Sequence, residues 1–136
     1  MPKQLPNISR IVALAVATAA TAALVAGCSA GPKNPIATFQ VAGGETYKIE
    51  LATSDLVRHA QGLLDGEQIA SIPLGTVVRD DAGVNAPWSW HIDPATLEFA
   101  RMTIEVCDGL PSYVEDQTVT SDQFCPWSAK IISIDK

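Results

Sequence analysis

Ala100-Arg101-Met102-Thr103-Ile104-Glu105-Val106-Cys107-Asp108-Gly109 sets small or apolar residues (Ala100, Met102, Ile104, Val106) against polar ones (Arg101, Thr103, Glu105) at every second position. That period predicts a strand with one buried face, here the central strand of the domain, closing on a cysteine and a turn pair. A second cysteine in Phe124-Cys125-Pro126-Trp127 offers it a covalent partner.

Upstream, Trp88-Ser89-Trp90-His91-Ile92 reads as a short strand with Trp88, Trp90 and Ile92 on one side, and Asp93-Pro94 turns the chain onward. The parity slips between Leu97-Phe99 and Ala100-Met102, which predicts a bulge or turn near Phe99. Downstream, Pro111 to Asp116 fits a helical turn or two, with Pro111 at the start where no amide donor is needed. Thr118 to Gln123 is polar loop and Lys130 to Ile134 a last strand.

Nearer the front, Thr38 to Val41 and Tyr47 to Leu51 alternate around Ala42-Gly43-Gly44-Glu45, the pattern of a hairpin with Phe39, Val41, Tyr47, Ile49 and Leu51 facing in. Ser54 to Asp65 is the main helix. Thr53 or Ser54 caps it, Asp55 suits its positive end, Gly66 closes it, and Leu56, Val57, Ala60, Leu63 and Leu64 form its apolar stripe. After a loop from Gly66 to Pro73, Leu74 to Arg79 makes a third strand, followed by the turn-rich acidic loop Asp80 to Pro87. The expected fold is α+β: a small antiparallel or mixed sheet of four to six strands, one main helix on a face, and one disulfide.

Residues 1–27 have the three-part layout of a secretory signal: Lys3 and Arg10, an apolar run from Ile11 to Val25, then small residues. The run is short for a bilayer span, which needs roughly 20 apolar residues. Its end, Leu24-Val25-Ala26-Gly27-Cys28, resembles the bacterial lipobox, which implies cleavage before Cys28 and diacylglyceryl attachment to its sulfur. An ordinary secretory peptide cut near Ala30 is the alternative reading. Residues 28–36 read as lipidated terminus and flexible tether, and 37–136 as a single domain. The expected address is the extracytoplasmic side of a bacterial envelope, inner or outer membrane undetermined.

Cleavage would leave 109 residues and remove two of the nine basic residues while keeping all fifteen acids, for a net charge of −8. Such a domain, without a Lys/Arg cluster, is a poor match for nucleic acid. With Cys28 taken by lipid, Cys107 and Cys125 remain as an even pair in an oxidising compartment, the setting for a disulfide. A zinc site lacks close-spaced ligand pairs, and no cofactor motif is present.

Trp88-Ser89-Trp90-His91-Ile92-Asp93-Pro94, Ile104-Glu105-Val106-Cys107-Asp108-Gly109, Pro111-Ser112-Tyr113-Val114-Glu115 and Phe124-Cys125-Pro126-Trp127-Ser128 together resemble the N-terminal domain of the slime-mould calmodulin-binding protein, a module also found alone in secreted bacterial proteins. The similarity runs from about Thr38 to Ile134 and implies the same fold and cysteine pairing. It does not carry calmodulin over as a partner. A calmodulin target is usually a basic amphipathic helix, whereas Ser54 to Asp65 sets Arg58 and His59 against Asp55 and Asp65.

Trp88, Trp90 and Trp127 read first as core and as a lid on the disulfide, and second as a platform for a sugar or apolar ligand. His91 with Asp93, beside Asp80 or Asp81, has the composition of a general-base pair for a small hydrolase or metal-dependent enzyme, though it also suits a turn cap. Glu105 and Asp108 flank Cys107, and Arg101 shares a face with Glu105, which a salt bridge explains. The leading expectation is a non-enzymatic, lipid-anchored domain that binds an extracytoplasmic protein or small ligand. The alternatives are the His91 enzyme and a protease-inhibitor-like module presenting Asp80 to Pro87.

Overall fold

The computed structural model describes residues 33–136; the signal segment, Cys28 and the first part of the tether lie outside the described residues. Seven strands form two antiparallel sheets. In the first, β1 (Ile36–Gln40) lies between β2 (Thr46–Glu50) and β7 (Lys130–Asp135). In the second, β3 (Ile72–Val78) pairs with β4 (His91–Ile92), β5 (Glu98–Ala100) and β6 (Gln123–Phe124). The α+β class, the main helix and the disulfide hold, with the strands divided between two sheets.

Why the front hairpin forms is plain from its pattern. Phe39, Val41, Tyr47, Ile49 and Leu51 are all buried, as their alternation requires. Gly43 and Gly44 take the positive φ angles of the turn, at 89° and 91°. The outer edge of β2 is not left open to another strand. Asn85, itself buried, accepts from Lys48 N at 2.7 Å and donates to Trp90 O at 2.8 Å, while Trp88 Nε1 donates to Thr46 O at 2.8 Å. The acidic loop from Asp80 to Pro87 is thereby pinned along the first sheet.

The helix α1 (Ser54–Leu64) starts where Thr53 Oγ1 accepts from Leu56 N at 3.2 Å, and Gly66 in left-handed φ follows its end. Ala60 is fully buried, and Leu56 and Val57 pack against the core, but Leu64 is exposed. The helix lies along β7 and reaches β5 through His59, whose ring stacks on Phe99 at 4.5 Å. A short second helix, α2 (Pro111–Glu115), begins on its proline.

The two sheets meet through aromatic rings. Phe39 lies 6.2 Å from Phe99, and Tyr47 lies 5.4 Å from Phe124 and 6.1 Å from Trp90. Tilted and edge-on contacts of this kind add about 0.5–1.5 kcal/mol each beyond area burial. Gly75 on β3 allows Ile92 to cross closely, since a Cβ there would stand 2.3 Å from Ile92 Cγ2.

The central strand expected over Ala100–Val106 is corrected. Only Glu98–Ala100 pairs, opposite Leu74, Pro73 and Ile72. β3 begins at Ile72, so beyond Ala100 there is no strand residue left to continue the ladder. Met102, Ile104 and Val106 are 86%, 65% and 67% exposed, and Glu105–Cys107 forms a single 3-10 turn. β3 also starts two residues earlier than expected, taking in Pro73, while β4 keeps only His91 and Ile92 of the expected five-residue strand. The register irregularity falls in β1 between Thr38 and Phe39, against β7, rather than near Phe99. Gln123, expected in a loop, opens β6.

The buried Tyr47 hydroxyl has no hydrogen-bond partner, and burial raises its pKa well above the ordinary 10.0. The folded chain holds this proton more tightly than the unfolded chain, so the associated stability is complete below about pH 10 and is lost as pH rises above it. Tyr47→Phe should raise stability by about 1 kcal/mol, because it removes an unsatisfied buried group. Urea melts at neutral pH and above pH 10 check this; the alkaline loss should be smaller in the variant.

Candidate binding site

Cys107 and Cys125 are joined, with Cα atoms 5.1 Å apart and both residues buried. The bond ties two irregular segments together: the one that leaves β5 and the one that leaves β6. Around it the same two segments are hydrogen-bonded to each other. Cys125 N donates to Cys107 O at 2.7 Å, and Trp127 N donates to Asp108 Oδ1 at 2.8 Å. Trp127 Nε1 donates to Thr103 Oγ1 at 2.5 Å, and Ser128 Oγ accepts from Ala42 N at 2.9 Å.

These ties hold Trp127 at the surface, 45% exposed, with its one polar atom satisfied. On one side of the ring lies a cleft of about 430 Å³ between the end of α1 and the start of β7, lined by Leu63, Glu67, Gln68, Ile69, Ser71 and Lys130 among others. On the other is an apolar hollow of about 170 Å³ formed with Ile72, Arg101, Met102 and Thr103. Met102, Ile104 and Val106 continue the apolar surface away from that hollow in sequence. Contiguous exposed apolar residues on a small domain mark contact surfaces.

The three tryptophans therefore have three different positions. Trp90 is core and leaves its indole N–H without a partner; Trp88 is half-buried and braces the edge of β2; Trp127 alone is presented as a platform. Sequence reasoning weighed them as a set, because composition does not distinguish a core ring from a presented one. Met102, Ile104 and Val106 were missed as surface residues, since their alternation matches that of a buried strand.

His91 and Asp93 are neighbours in sequence with separate partners. His91 Nδ1 lies 2.7 Å from the Asp81 carbonyl and 3.9 Å from its carboxylate, whereas Asp93 Oδ1 accepts from Ala95 N at 3.0 Å and caps the turn Pro94–Thr96. Asp108 is spent on backbone amides, including that of Gly109 at 2.9 Å. The ion pairs among the described residues are Arg58 with Asp55 and the His91–Asp81 contact, so Arg101 and Glu105 are not paired. No group of three or more His, Cys, Asp or Glu side chains among the described residues is arranged to hold a metal. The one displaced carboxylate is Asp116, held below its ordinary range by the Thr118 side chain and amide at the end of α2.

The family model for the N-terminal domain of the calmodulin-binding protein matches residues 33–136. Neither a curated protein nor a solved structure matches the chain.

Closing an eighteen-residue separation should stabilise the fold by about 3 kcal/mol on the chain-entropy account. Cys107→Ala/Cys125→Ala should lose that amount in a urea melt and shift the Trp127 emission as the ring is released. An unchanged midpoint and spectrum would show that the hydrogen bonds alone fix the platform.

Proposed function

The chain belongs to the family of the calmodulin-binding protein N-terminal domain, and from that premise we propose that it is a lipid-anchored, extracytoplasmic binding domain without catalytic activity of its own. The lipobox-like Leu24-Val25-Ala26-Gly27-Cys28 supports the anchor, and the disulfide supports the oxidising compartment. One observation carries the binding role: a tryptophan platform between two hollows, fixed from behind by a covalent bond and an aspartate that accepts two amides. Rigid aromatic anchors lose little side-chain freedom on contact, so they suit recognition. The cleft beside Trp127 mixes apolar walls with Glu67, Gln68, Ser71 and Lys130, the composition of a site that orients a ligand by a few polar groups. The ligand we expect there is an extracytoplasmic protein segment or a small molecule.

Two measurements test this. Cells fed a fatty-acid analogue should label the wild-type protein and not Cys28→Ser; equal labelling would remove the anchor. Trp127→Ala should weaken capture of the ligand from the native envelope by about tenfold or more, as loss of a central aromatic anchor does. Capture that is indifferent to Trp127 would move the site elsewhere.

A further inference from the structure

We infer that the ridge of Met102, Ile104 and Val106, with the adjoining face of Trp127, is a second membrane contact that rests on the lipid interface of the bilayer holding the anchor. The inference rests on the anchored reading above and names a partner for the apolar side of the same site.

The ridge consists of four large apolar side chains between 45% and 86% exposed, carried on two segments that the disulfide clamps into one body. Its composition suits an interface more than an aqueous ligand. A tryptophan with a satisfied N–H and an apolar ring is the side chain that settles at headgroup level. Met102, Ile104 and Val106 have no sheet partner beyond Ala100. The backbone that carries them must therefore keep access to water or headgroups, which limits insertion to the interfacial layer.

Charge separates the candidate occupants. From Cys28 onward the chain holds fifteen acids against seven bases, so a second copy brings a like-charged body and an anionic surface is repelled. Within the ridge, Arg101 and Glu105 balance each other, leaving an electrically even face suited to zwitterionic headgroups.

The tether permits the geometry. Ile36 opens β1 opposite Glu50 and Asp135, whereas Lys130 pairs with Gln40 at the other end, and Trp127 lies just before Lys130. Anchor and ridge thus belong to opposite ends of the first sheet, about 13 Å apart along β1 at strand rise. The eight steps from Cys28 to Ile36 reach at most about 28 Å when extended, enough to run back along the domain. Once the anchor holds the chain at the surface, even a weak ridge contact is populated, because the second contact is intramolecular.

The test uses the mature chain from Cys28 onward, its Cys28 sulfur coupled in vitro to a maleimide lipid in phosphatidylcholine vesicles; the paired Cys107 and Cys125 do not react. With bromine atoms on the lipid near the headgroup, tryptophan emission should fall by roughly a third, one ring of three lying at interfacial depth. Trp127→Phe should abolish the quenching, and so should Met102→Ser/Ile104→Ser. The latter pair changes exposed residues and should leave the melting transition in place. Absence of quenching in the wild-type chain, or equal quenching in the serine variant, would overturn the inference. So would a wild-type dimer in sedimentation that the serine variant loses, which would assign the ridge to a second copy. The mass of the native protein reports the natural anchor independently, so an unmodified Cys28 sinks the anchored reading without being mistaken for a failed ridge.

Discussion

The covalent tie between Cys107 and Cys125 governs what this molecule can present to its surroundings. After Ala100 the chain has run out of β3 to pair with, and after Phe124 the two-residue β6 has ended. Two irregular segments carrying Met102, Ile104, Val106 and Trp127 would otherwise sample many conformations, each costing entropy to fix on contact. The disulfide places that cost on the fold, and Asp108 completes the clamp by accepting from both Gly109 N and Trp127 N.

Behind the clamp stands the seam between the sheets. Phe39 and Tyr47 of the first sheet meet Phe99 and Phe124 of the second, with Trp90 alongside. These rings bury well, but two of them carry polar atoms into a region with no partner for them. The unpaired Tyr47 hydroxyl and Trp90 indole N–H oppose the stabilisation their rings supply, each by the desolvation of one donor. Elsewhere the polar core is better satisfied: Asn85 uses its amide oxygen and nitrogen to fasten a turn-rich loop to β2 and to Trp90.

This division of labour bears on function. Side chains that first suggested catalysis are engaged in holding turns: Asp93 caps the segment that leads into β5, and His91 contacts the Asp81 carbonyl of the loop pinned by Asn85. The residues with no such structural engagement are the apolar ones on the ridge. A rigid two-sheet scaffold with contact residues on stapled loops is the usual arrangement for recognition, and it agrees with the address implied by the lipobox.

The sequence alone determined the front hairpin, the main helix with its Thr53 cap, the pairing of the cysteines and the α+β class, because each follows from local periodicity, turn chemistry or cysteine count. Side-chain period identifies a face without saying what covers it. Met102, Ile104 and Val106 alternate as a buried strand does, yet whether they are buried depends on a partner strand distant in sequence, and that strand begins at Ile72. Likewise Trp88, Trp90 and Trp127 are one residue type with three roles, separated only by where the second sheet meets the first. The tertiary structure decided these points because burial is a property of pairs of elements, and a single stretch of chain carries only one member of each pair.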